Sequence, residues 1–338
     1  MRALVIGGTG FLGLNIVDAL LASGAEVRVT RRKQSVTLLV RRRKVELVDA
    51  SLDEPEKLRL AMDGCDVVFL AGAHYPRYSI DLEASLETGV RGVRNACDAA
   101  LAASVPRLVY TSTIATLCWP KQLRRADEDD VPETMPHDSV YRGVKWSMER
   151  EVEAAQRRGL NAVTLLPGGC IGPGDLRLGT GSIIVGVVRG IMPFWVDGFV
   201  NMIDVGDVAK AHVVAASPTP HDRYLLGGHT VRVPTLLRRI ALRYGGKVPP
   251  LQLSADEARA RTLQEERLAA PRKERVMVPR ELVDMAVTGQ AVSNARAKAE
   301  LGLVLTPLDE ALNRAHASLS SFGFIPKRTH KETIDDHS

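Results

Sequence analysis

The chain of 338 residues carries 45 Lys and Arg against 40 Asp and Glu, which gives a formal net charge of +5 at pH 7. This length is sufficient for one large α/β unit with a smaller lobe, or for two domains. The composition is that of a globular protein, and no apolar run reaches the roughly 18 residues of a membrane span. The first apolar run is also too short for a signal peptide. We therefore expect a cytoplasmic protein with no membrane span.

The four cysteines, Cys65, Cys97, Cys118 and Cys170, lie far apart in the sequence, without the close spacing of a zinc or redox motif. This distribution predicts reduced thiols in a reducing compartment and no metal centre.

The first 33 residues have the pattern of a strand, a glycine turn, a helix and a second strand. The apolar residues 3–6 precede the turn, and apolar residues recur at helical spacing from Leu14 to Leu21. Glycines allow a tight turn and a close approach of the backbone to a pyrophosphate, which the N-terminus of the following helix attracts. The alternative is a glycine turn required only for close packing. The predicted nucleotide-binding residues of this turn are Gly7, Gly10, Phe11, Leu12 and Gly13.

Strands and helices continue to alternate as far as residue 172, which predicts a Rossmann-type, doubly wound parallel sheet. Ligands bind at the carboxyl ends of the strands in such sheets. The segments after the strand ends should therefore surround one crevice. The pattern predicts strands at residues 45–48, 67–70, 107–110 and 162–166, and helices at residues 55–62, 81–103 and 139–158.

Beyond residue 172 the alternation weakens. We interpret residues 1–172 as a dinucleotide-binding domain and residues 173–326 as a smaller substrate-binding lobe, from which some segments can return to the first sheet. Residues 327–338 lack a hydrophobic face, and we therefore predict that they form a disordered tail. The pattern predicts helices near residues 182–190, 205–216, 234–244, 254–268 and 307–321, and strands at residues 202–204 and 224–226. Four aromatic residues could line the substrate pocket or pack in the core: Trp119, Phe194, Trp195 and Phe199.

Tyr141 and Lys145 are four residues apart on a predicted helix, so their side chains share one face, one turn apart. The pKa of a tyrosine is ordinarily near 10, and a nearby ammonium group favours the phenolate. We therefore expect Lys145 to lower the pKa of Tyr141 and to suit it to general acid–base catalysis.

A basic block runs from Arg28 to Lys44. Its first cluster, Arg31, Arg32 and Lys33, follows the second strand, and its second cluster occupies residues 41–44. Such a block can bind nucleic acid or an anionic surface, form a solvated loop, or recognise an adenosine 2′-phosphate. For the second cluster a solvated loop is the simpler interpretation. For the first cluster, its position after the second strand favours the phosphate.

These features together resemble the extended short-chain dehydrogenase/reductases of the NAD(P)-dependent epimerase/dehydratase family. Within that family the chain is similar to dihydroflavonol-4-reductase-like reductases and to hopanoid-associated sugar epimerase-like proteins. The resemblance spans about residues 1–320, and the motifs that carry it lie at residues 7–13, 108–113, 141–145, 166–173, 206–212 and 224–228.

The resemblance implies that Tyr141 is the general acid or base and that Lys145 also hydrogen-bonds the nicotinamide ribose. Thr113 would hold the substrate oxygen, with Ser112 as the alternative. Relatives that match Arg32 bind the 2′-phosphate, so we expect NADP(H), with NAD(H) possible. Further cofactor contacts implied by the resemblance are Ser51, Leu52, Ala71, Gly72, Ala73 and Pro167.

Several positions depart from the residues usual in the family: Ser51, Leu70, Gly89, Leu166 and Asp204. None of them belongs to the set of Thr113, Tyr141 and Lys145, but they bear on the affinity for the cofactor and on the pocket.

Three functions follow from these observations. The first is an NADP(H)-dependent reductase of a small carbonyl compound, or a dehydrogenase of the alcohol. The second is a nucleotide-sugar epimerase with tightly bound NAD, and the third is a non-catalytic NAD(P) sensor. Dehydration is disfavoured because Ile114 and Ala115, rather than acidic residues, follow Thr113. A small-molecule substrate is expected and nucleic acid is not. The resemblance also suggests a homodimer built from the helices near residues 81–103 and 139–158.

Overall fold

The computed structural model describes residues 1–76, 78–120, 124–288 and 291–326. The predicted tail at residues 327–338 lies outside this part of the chain. The strands are β1 (Arg2–Ile6), β2 (Glu26–Arg31), β3 (Glu46–Asp49), β4 (Val67–Leu70), β5 (Leu108–Thr111), β6 (Ala162–Pro167), β7 (Gly169–Ile171), β8 (Trp195–Val196), β9 (Phe199–Asp204), β10 (Arg223–Leu226), β11 (His229–Arg232) and β12 (Gln252–Leu253).

The helices alternate with the strands in the first half of the chain and predominate in the second half. They are α1 (Phe11–Ala22), α2 (Pro55–Met62), α3 (Leu82–Ala102), α4 (Val140–Arg157), α5 (Ser182–Val188), α6 (Val205–Val214), α7 (Val233–Tyr244), α8 (Ala255–Ala269), α9 (Arg280–Thr288), α10 (Ala295–Glu300) and α11 (Leu308–Ser321).

The main sheet is parallel and has the strand order β10-β6-β5-β4-β1-β2-β3. Its central strands are apolar on both faces because helices cover both faces. Along β1, Ala3 and Val5 pack into the core formed with α1 and α6, whereas Leu4 and Ile6 pack into the core formed with α2, α3 and α4. This is the predicted Rossmann-type fold, and the prediction is confirmed.

The sheet receives its last strand from the second half of the chain. After β6 the chain forms β7, α5, β8 and β9, and it then returns through α6 and β10. Tyr224 of β10 pairs in parallel with Leu165 of β6. The segment between β6 and β10 forms the first part of the smaller lobe, and the chain after β10 supplies the rest, so the lobe is built from two separate stretches of sequence.

The smaller lobe has its own core. A three-stranded sheet of order β11-β9-β7 packs with α5, α7 and α11, and β12 pairs with β8. The sequence did not indicate β7, β8, β11, β12, α9 or α10. The four cysteines are free thiols. In the part of the chain that the structure describes, no helix is long and apolar enough to cross a membrane.

Candidate active site

The glycine turn after β1 packs backbone against backbone. Gly7 adopts a φ of +91°, and a Cβ built on it would lie 2.4 Å from the Cα of Gly72, which follows β4. A Cβ on Gly13 would lie 2.2 Å from the carbonyl oxygen of Gly7. Side chains are therefore excluded at both positions. The close packing that the sequence left as an alternative is present, and it leaves the turn without side chains over its surface.

The turn opens directly into α1. Gly10 is the N-cap of this helix and supplies no side-chain acceptor for the first N–H groups. The first turn of α1 also contains no acidic residue. Free N–H groups and the helix dipole favour an anion at this position. Gly7, Gly10, Phe11, Leu12 and Gly13 thus form a cradle of the kind that a dinucleotide pyrophosphate requires.

Two arginines lie at the end of β2: one is paired with a carboxylate and the other is exposed to solvent. Arg31 donates to Asp49 of β3, with an Nε–Oδ1 distance of 2.7 Å. Arg32 is exposed, and its backbone N–H donates to Ser35 Oγ at 2.9 Å. The guanidinium of Arg32 is therefore the one of the pair that faces solvent beside the predicted ribose position.

The other predicted cofactor residues lie at strand ends on this edge. Ser51 and Leu52 follow β3, and the Leu52 carbonyl accepts a hydrogen bond from Asn95 at 2.8 Å. Ala71, Gly72 and Ala73 follow β4, and Pro167 ends β6. Because the strands are parallel, all these positions meet at the carboxyl edge of the sheet.

Helix α4 holds Tyr141 and Lys145 in its first two turns. Its N-cap, Ser139, accepts from the N–H of Arg142. The Arg142 guanidinium in turn donates to the carbonyl oxygens of Ala115 and Leu117, both at 2.9 Å. These bonds fasten the start of α4 to the segment that follows Thr113, so they set the distance between Thr113 and the helix.

The structure brings Thr113, Tyr141 and Lys145 together. All three are buried. The Lys145 Nζ lies 5.9 Å from the centroid of the Tyr141 ring. The Thr113 Oγ1 accepts from the N–H of Ala115 at 3.2 Å. The Thr113 hydroxyl is also close enough to the Tyr141 phenol to act on its pKa.

The acidity of Tyr141 differs from the expectation. Burial raises the pKa of Tyr141, the nearby Glu281 carboxylate raises it further, and the hydrogen bond with Thr113 lowers it only in part. The predicted lowering of the Tyr141 pKa is therefore wrong for the protein alone. The phenol stays protonated at neutral pH, which is the state that a general acid requires.

Lys145 carries the opposite shift. Burial lowers the pKa of Lys145 to about 8, while the Glu281 carboxylate acts to raise it. The ammonium form still predominates at pH 7. Since a buried cation is costly, a bound group that hydrogen-bonds the ammonium would be favoured.

Two residues of this site were missed by the sequence analysis. Glu281 belongs to α9 in the smaller lobe, and Tyr75 follows β4. The Tyr75 hydroxyl donates to the Glu281 carboxylate, and the rings of Tyr75 and Tyr141 lie 5.3 Å apart. Burial raises the pKa of Glu281 to about 7. The only sequence signal was Pro279, which favours a helix start just before Glu281.

Ser112, the alternative to Thr113, is used elsewhere. Its hydroxyl donates to the buried carboxylate of Glu149 at 2.6 Å. Thr116 and Arg223 donate to the same carboxylate. Ser112 therefore contributes to the interior beneath the site, and Thr113 is the hydroxyl that faces Tyr141.

Four of the departures from the usual residues of the family can be described in terms of hydrogen bonding or packing. Asp204 is the N-cap of α6, accepts from the N–H of Gly206 at 2.7 Å and forms an ion pair with Arg314. A Cβ at Gly89 would lie 3.0 Å from Met148 Sδ, so a larger residue there would push α3 away from α4. Leu70 and Leu166 are fully buried.

An apolar cavity of about 70 Å³ lies in the smaller lobe. Leu282, Val283 and Ala286 of α9 form one wall of it, so α9 contacts both this cavity and, through Glu281, the site. Phe194 and Trp195 line this cavity, and Phe194 also packs in the core cluster beside it. Trp119 packs elsewhere, against the cluster around Ile114, and Phe199 is 45% exposed.

Comparison with known proteins agrees with this geometry. Residues 3–227 match the NAD dependent epimerase/dehydratase family. The chain belongs to this family. A putative dihydroflavonol 4-reductase from Synechocystis is 31% identical to this chain, and the alignment covers 95% of both proteins. Sterol demethylase protein B from Methylococcus capsulatus is 27% identical, and the alignment covers 96% of this chain and 100% of that protein. A nucleoside-diphosphate-sugar epimerase from Pseudomonas aeruginosa superposes with a TM-score of 0.80 at 26% identity, covering 96% of this chain and 99% of that one. The family member described here is thus an NAD(P)-dependent oxidoreductase of the extended short-chain dehydrogenase/reductase type.

Proposed function

We propose that this enzyme is an NADP(H)-dependent reductase of a small carbonyl compound, working through Thr113, Tyr141 and Lys145. The observation that carries the proposal is the buried, protonated Tyr141 phenol beside Thr113 and Lys145, at the same sheet edge as the glycine turn. A protonated acid at this position favours reduction of a carbonyl over oxidation of an alcohol at neutral pH.

The residues divide the reaction as follows. When bound, the reduced nicotinamide supplies the hydride that the carbonyl carbon accepts. Thr113 donates a hydrogen bond to the carbonyl oxygen and fixes its position. Tyr141 gives its phenol proton to that oxygen, so the Tyr141 O–H bond breaks as the alcohol O–H bond forms. Lys145 stabilises the resulting phenolate with its ammonium charge until a solvent proton restores the phenol.

The preference for NADP(H) rests on Arg32. An arginine at the end of the second strand accommodates a 2′-phosphate, whereas NAD-binding proteins place an acid there. Arg31 is engaged by Asp49, which leaves the Arg32 guanidinium exposed for the phosphate. Charge-assisted hydrogen bonds of this kind contribute about 1.5–3 kcal/mol.

A nucleotide-sugar epimerase with tightly bound NAD is the second candidate, and the similarity to the Pseudomonas epimerase favours it. The exposed Arg32 argues for the reductase instead, because proteins that bind NAD place an acidic residue at this position.

The test of catalysis is Tyr141→Phe. We expect the NADPH-dependent reduction of aromatic and aliphatic ketones and aldehydes to fall by about 10²–10⁴-fold in kcat, which is the usual contribution of a general acid. NADPH binding and the unfolding transition should be unchanged. Turnover by Tyr141→Phe at the wild-type rate would refute the assigned role. Protein that retains NAD through gel filtration and interconverts sugar nucleotides would favour the epimerase, and nucleotide binding without turnover of any carbonyl would favour the sensor.

The test of the cofactor is Arg32→Ala, with Arg41→Ala from the second basic cluster as the matched loss of charge. Arg32→Ala should weaken NADPH by about 10–100-fold, as the loss of such a charge-assisted contact predicts, and leave NADH nearly unchanged. Arg41→Ala should change neither affinity by more than about twofold. Equal weakening of NADPH and NADH by Arg32→Ala would contradict the 2′-phosphate interpretation.

A further inference from the structure

The smaller lobe places a carboxylate beside the catalytic residues. Glu281, in the first turn of α9, is only 5% exposed. Tyr75 links it to Tyr141: the Tyr75 hydroxyl donates to Glu281, and the Tyr75 ring lies 5.3 Å from that of Tyr141. The Glu281 charge accordingly acts on the pKa values of both Tyr141 and Lys145. The reaction as proposed above needs no carboxylate, and this leaves Glu281 without an assigned role.

A buried carboxylate needs hydrogen-bond donors, and it can accept about four. Tyr75 supplies one through its hydroxyl. The donor comes from the dinucleotide-binding half and the acceptor from the smaller lobe, 206 residues apart in the sequence. This hydrogen bond therefore spans the space in which a substrate between the two halves would lie.

Tyr75 is suited to leave this position. Its side chain is attached to the segment after β4, and the residue is 54% exposed. Its ring contacts that of Tyr141 at a centroid distance of 5.3 Å. Its hydroxyl lies inward, since burial raises the pKa of the Tyr75 phenol, while the rest of the residue is at the surface, where side chains change rotamer rapidly. The Tyr75 hydroxyl thus occupies the acceptor in the absence of a ligand hydroxyl.

Above its pKa of about 7 the Glu281 carboxylate is mainly ionised, and this ionised form restricts what can replace Tyr75. It accepts hydrogen bonds and donates none. Three charges act on Glu281: the Lys145 ammonium lowers its pKa, and the carboxylates of Glu266 and Asp284, from the same lobe, raise it. On the lobe side, therefore, two negative charges lie near the Glu281 carboxylate. A hydroxyl group satisfies such an acceptor, whereas a second carboxylate is repelled by it.

We infer that Glu281 determines substrate specificity: it selects carbonyl compounds that carry a hydroxyl group within one or two carbons of the carbonyl, and it rejects 2-oxo acids. This inference rests on the proposed reductase function. The substrate hydroxyl donates to Glu281 in place of Tyr75, while the carbonyl oxygen binds Thr113 and Tyr141. The apolar remainder of the molecule extends toward the lobe.

Three aromatic ketones of similar size test this selection: 2-hydroxyacetophenone, acetophenone and phenylglyoxylate. In the intact enzyme with NADPH, we expect kcat/KM for 2-hydroxyacetophenone to exceed that for acetophenone by at least about tenfold, the value of one hydrogen bond to a charged group. Glu281→Gln should reduce this ratio at least fivefold and raise kcat/KM for phenylglyoxylate relative to acetophenone.

Tyr75→Phe removes the competing donor. It should raise kcat/KM for 2-hydroxyacetophenone by about two- to fivefold through a lower KM, as expected when a competing conformation is removed. In the same variant, kcat/KM for acetophenone should stay within about twofold of the wild-type value. Glu310→Gln, on the exposed face of α11, is the matched control and should change none of the three ratios. If the role of Glu281 were purely structural, Glu281→Gln would change kcat/KM for all three ketones by the same factor.

Binding is measured alongside turnover to separate the two proposals. Saturation-transfer NMR gives the relative affinities of the three ketones for wild type and Glu281→Gln without any reaction. If acetophenone is reduced but wild type and Glu281→Gln show the same ratios of kcat/KM among the three ketones, the specificity inference is wrong and the reductase function stands. If no carbonyl is reduced, the proposed function fails, and equal relative affinities in the two proteins would then overturn the inference as well.

Discussion

The two sides of the pair formed by Tyr141 and Lys145 each contain a buried glutamate, but the two carboxylates are held in different ways. On the sheet side, Glu149 accepts hydrogen bonds from Ser112, Thr116 and Arg223. On the lobe side, Glu281 accepts from the hydroxyl of the half-exposed Tyr75. The first carboxylate is satisfied by groups fixed in the interior, whereas the second depends on a donor that can rotate away.

Because their hydrogen-bond donors differ, we expect Glu149 to affect the stability of the fold and Glu281 to affect substrate selectivity. A carboxylate whose partners all belong to the core stabilises one arrangement of that core and has nothing to offer a ligand. A carboxylate with an exchangeable donor leaves part of its hydrogen bonding available. We expect changes on the sheet side to affect folding and cofactor binding, and changes on the lobe side to affect which substrate is reduced.

The largest expected effect is that of Glu149→Ala. It leaves Arg223 buried without its carboxylate, and the loss of one partner from a buried pair costs about 3–5 kcal/mol. Urea unfolding should show this loss. Glu151→Ala, on the same helix, breaks a surface pair with Arg94 and should cost less than about 1 kcal/mol.

Urea unfolding of Glu281→Gln is the corresponding measurement for the carboxylate on the lobe side. The pKa of Glu281 is raised on folding, so its stability contribution is complete below its unfolded pKa and is lost as pH rises through about 7. Glu281→Gln should therefore leave stability at pH 8 unchanged or higher. Equal losses from Glu149→Ala and Glu281→Gln at pH 8 would remove the distinction between the two sides.

The second largest effect concerns the glycine turn. In Gly13→Ala the added Cβ would lie 2.2 Å from the Gly7 carbonyl oxygen, so the turn must open. We expect a loss of at least about 100-fold in NADPH affinity, or roughly 2.7 kcal/mol. Gly179→Ala, where the nearest atom would lie 3.7 Å away, should bind NADPH normally. Wild-type affinity in Gly13→Ala would mean that the turn does not form the nucleotide cradle.

The smallest effect is a pH shift. In the proposed mechanism Lys145 stabilises the Tyr141 phenolate only in its ammonium form. Because burial lowers the pKa of Lys145 to about 8, kcat/KM for ketone reduction should fall as pH rises above about 8. The Glu281 carboxylate raises the pKa of Lys145. In Glu281→Gln this fall should therefore begin at lower pH. A shift toward higher pH would contradict the charge interaction between Glu281 and Lys145.

The sequence predicted the dinucleotide-binding half closely because its strands are covered on both faces. Such strands form continuous apolar runs, as at Val67–Leu70, and the helices between them have one apolar face. Tyr141 and Lys145 could be placed together because one helix carries both. Their roles, the NADP(H) preference and the homodimer through α3 and α4 stay predictions.

The lobe could not be predicted in the same way. Helix α9 has nine residues, and two of its buried positions, Glu281 and Asp284, are charged, which breaks the apolar pattern that identifies a helix. Strand β11 is short and contains His229 and Arg232. The contact between Tyr75 and Glu281 depends on how the two halves pack. The pKa of Tyr141 could not be predicted either, because it depends on that same packing.

The return of β10 to the main sheet has a consequence for biosynthesis. Until residue 226 has left the ribosome, the outer edge of the fully buried strand β6 has no partner strand. An apolar edge of this kind readily pairs with another nascent chain. Prematurely terminated chains that end between β6 and β10 should therefore be the most prone to aggregate, because the sheet is complete only after β10 has been translated.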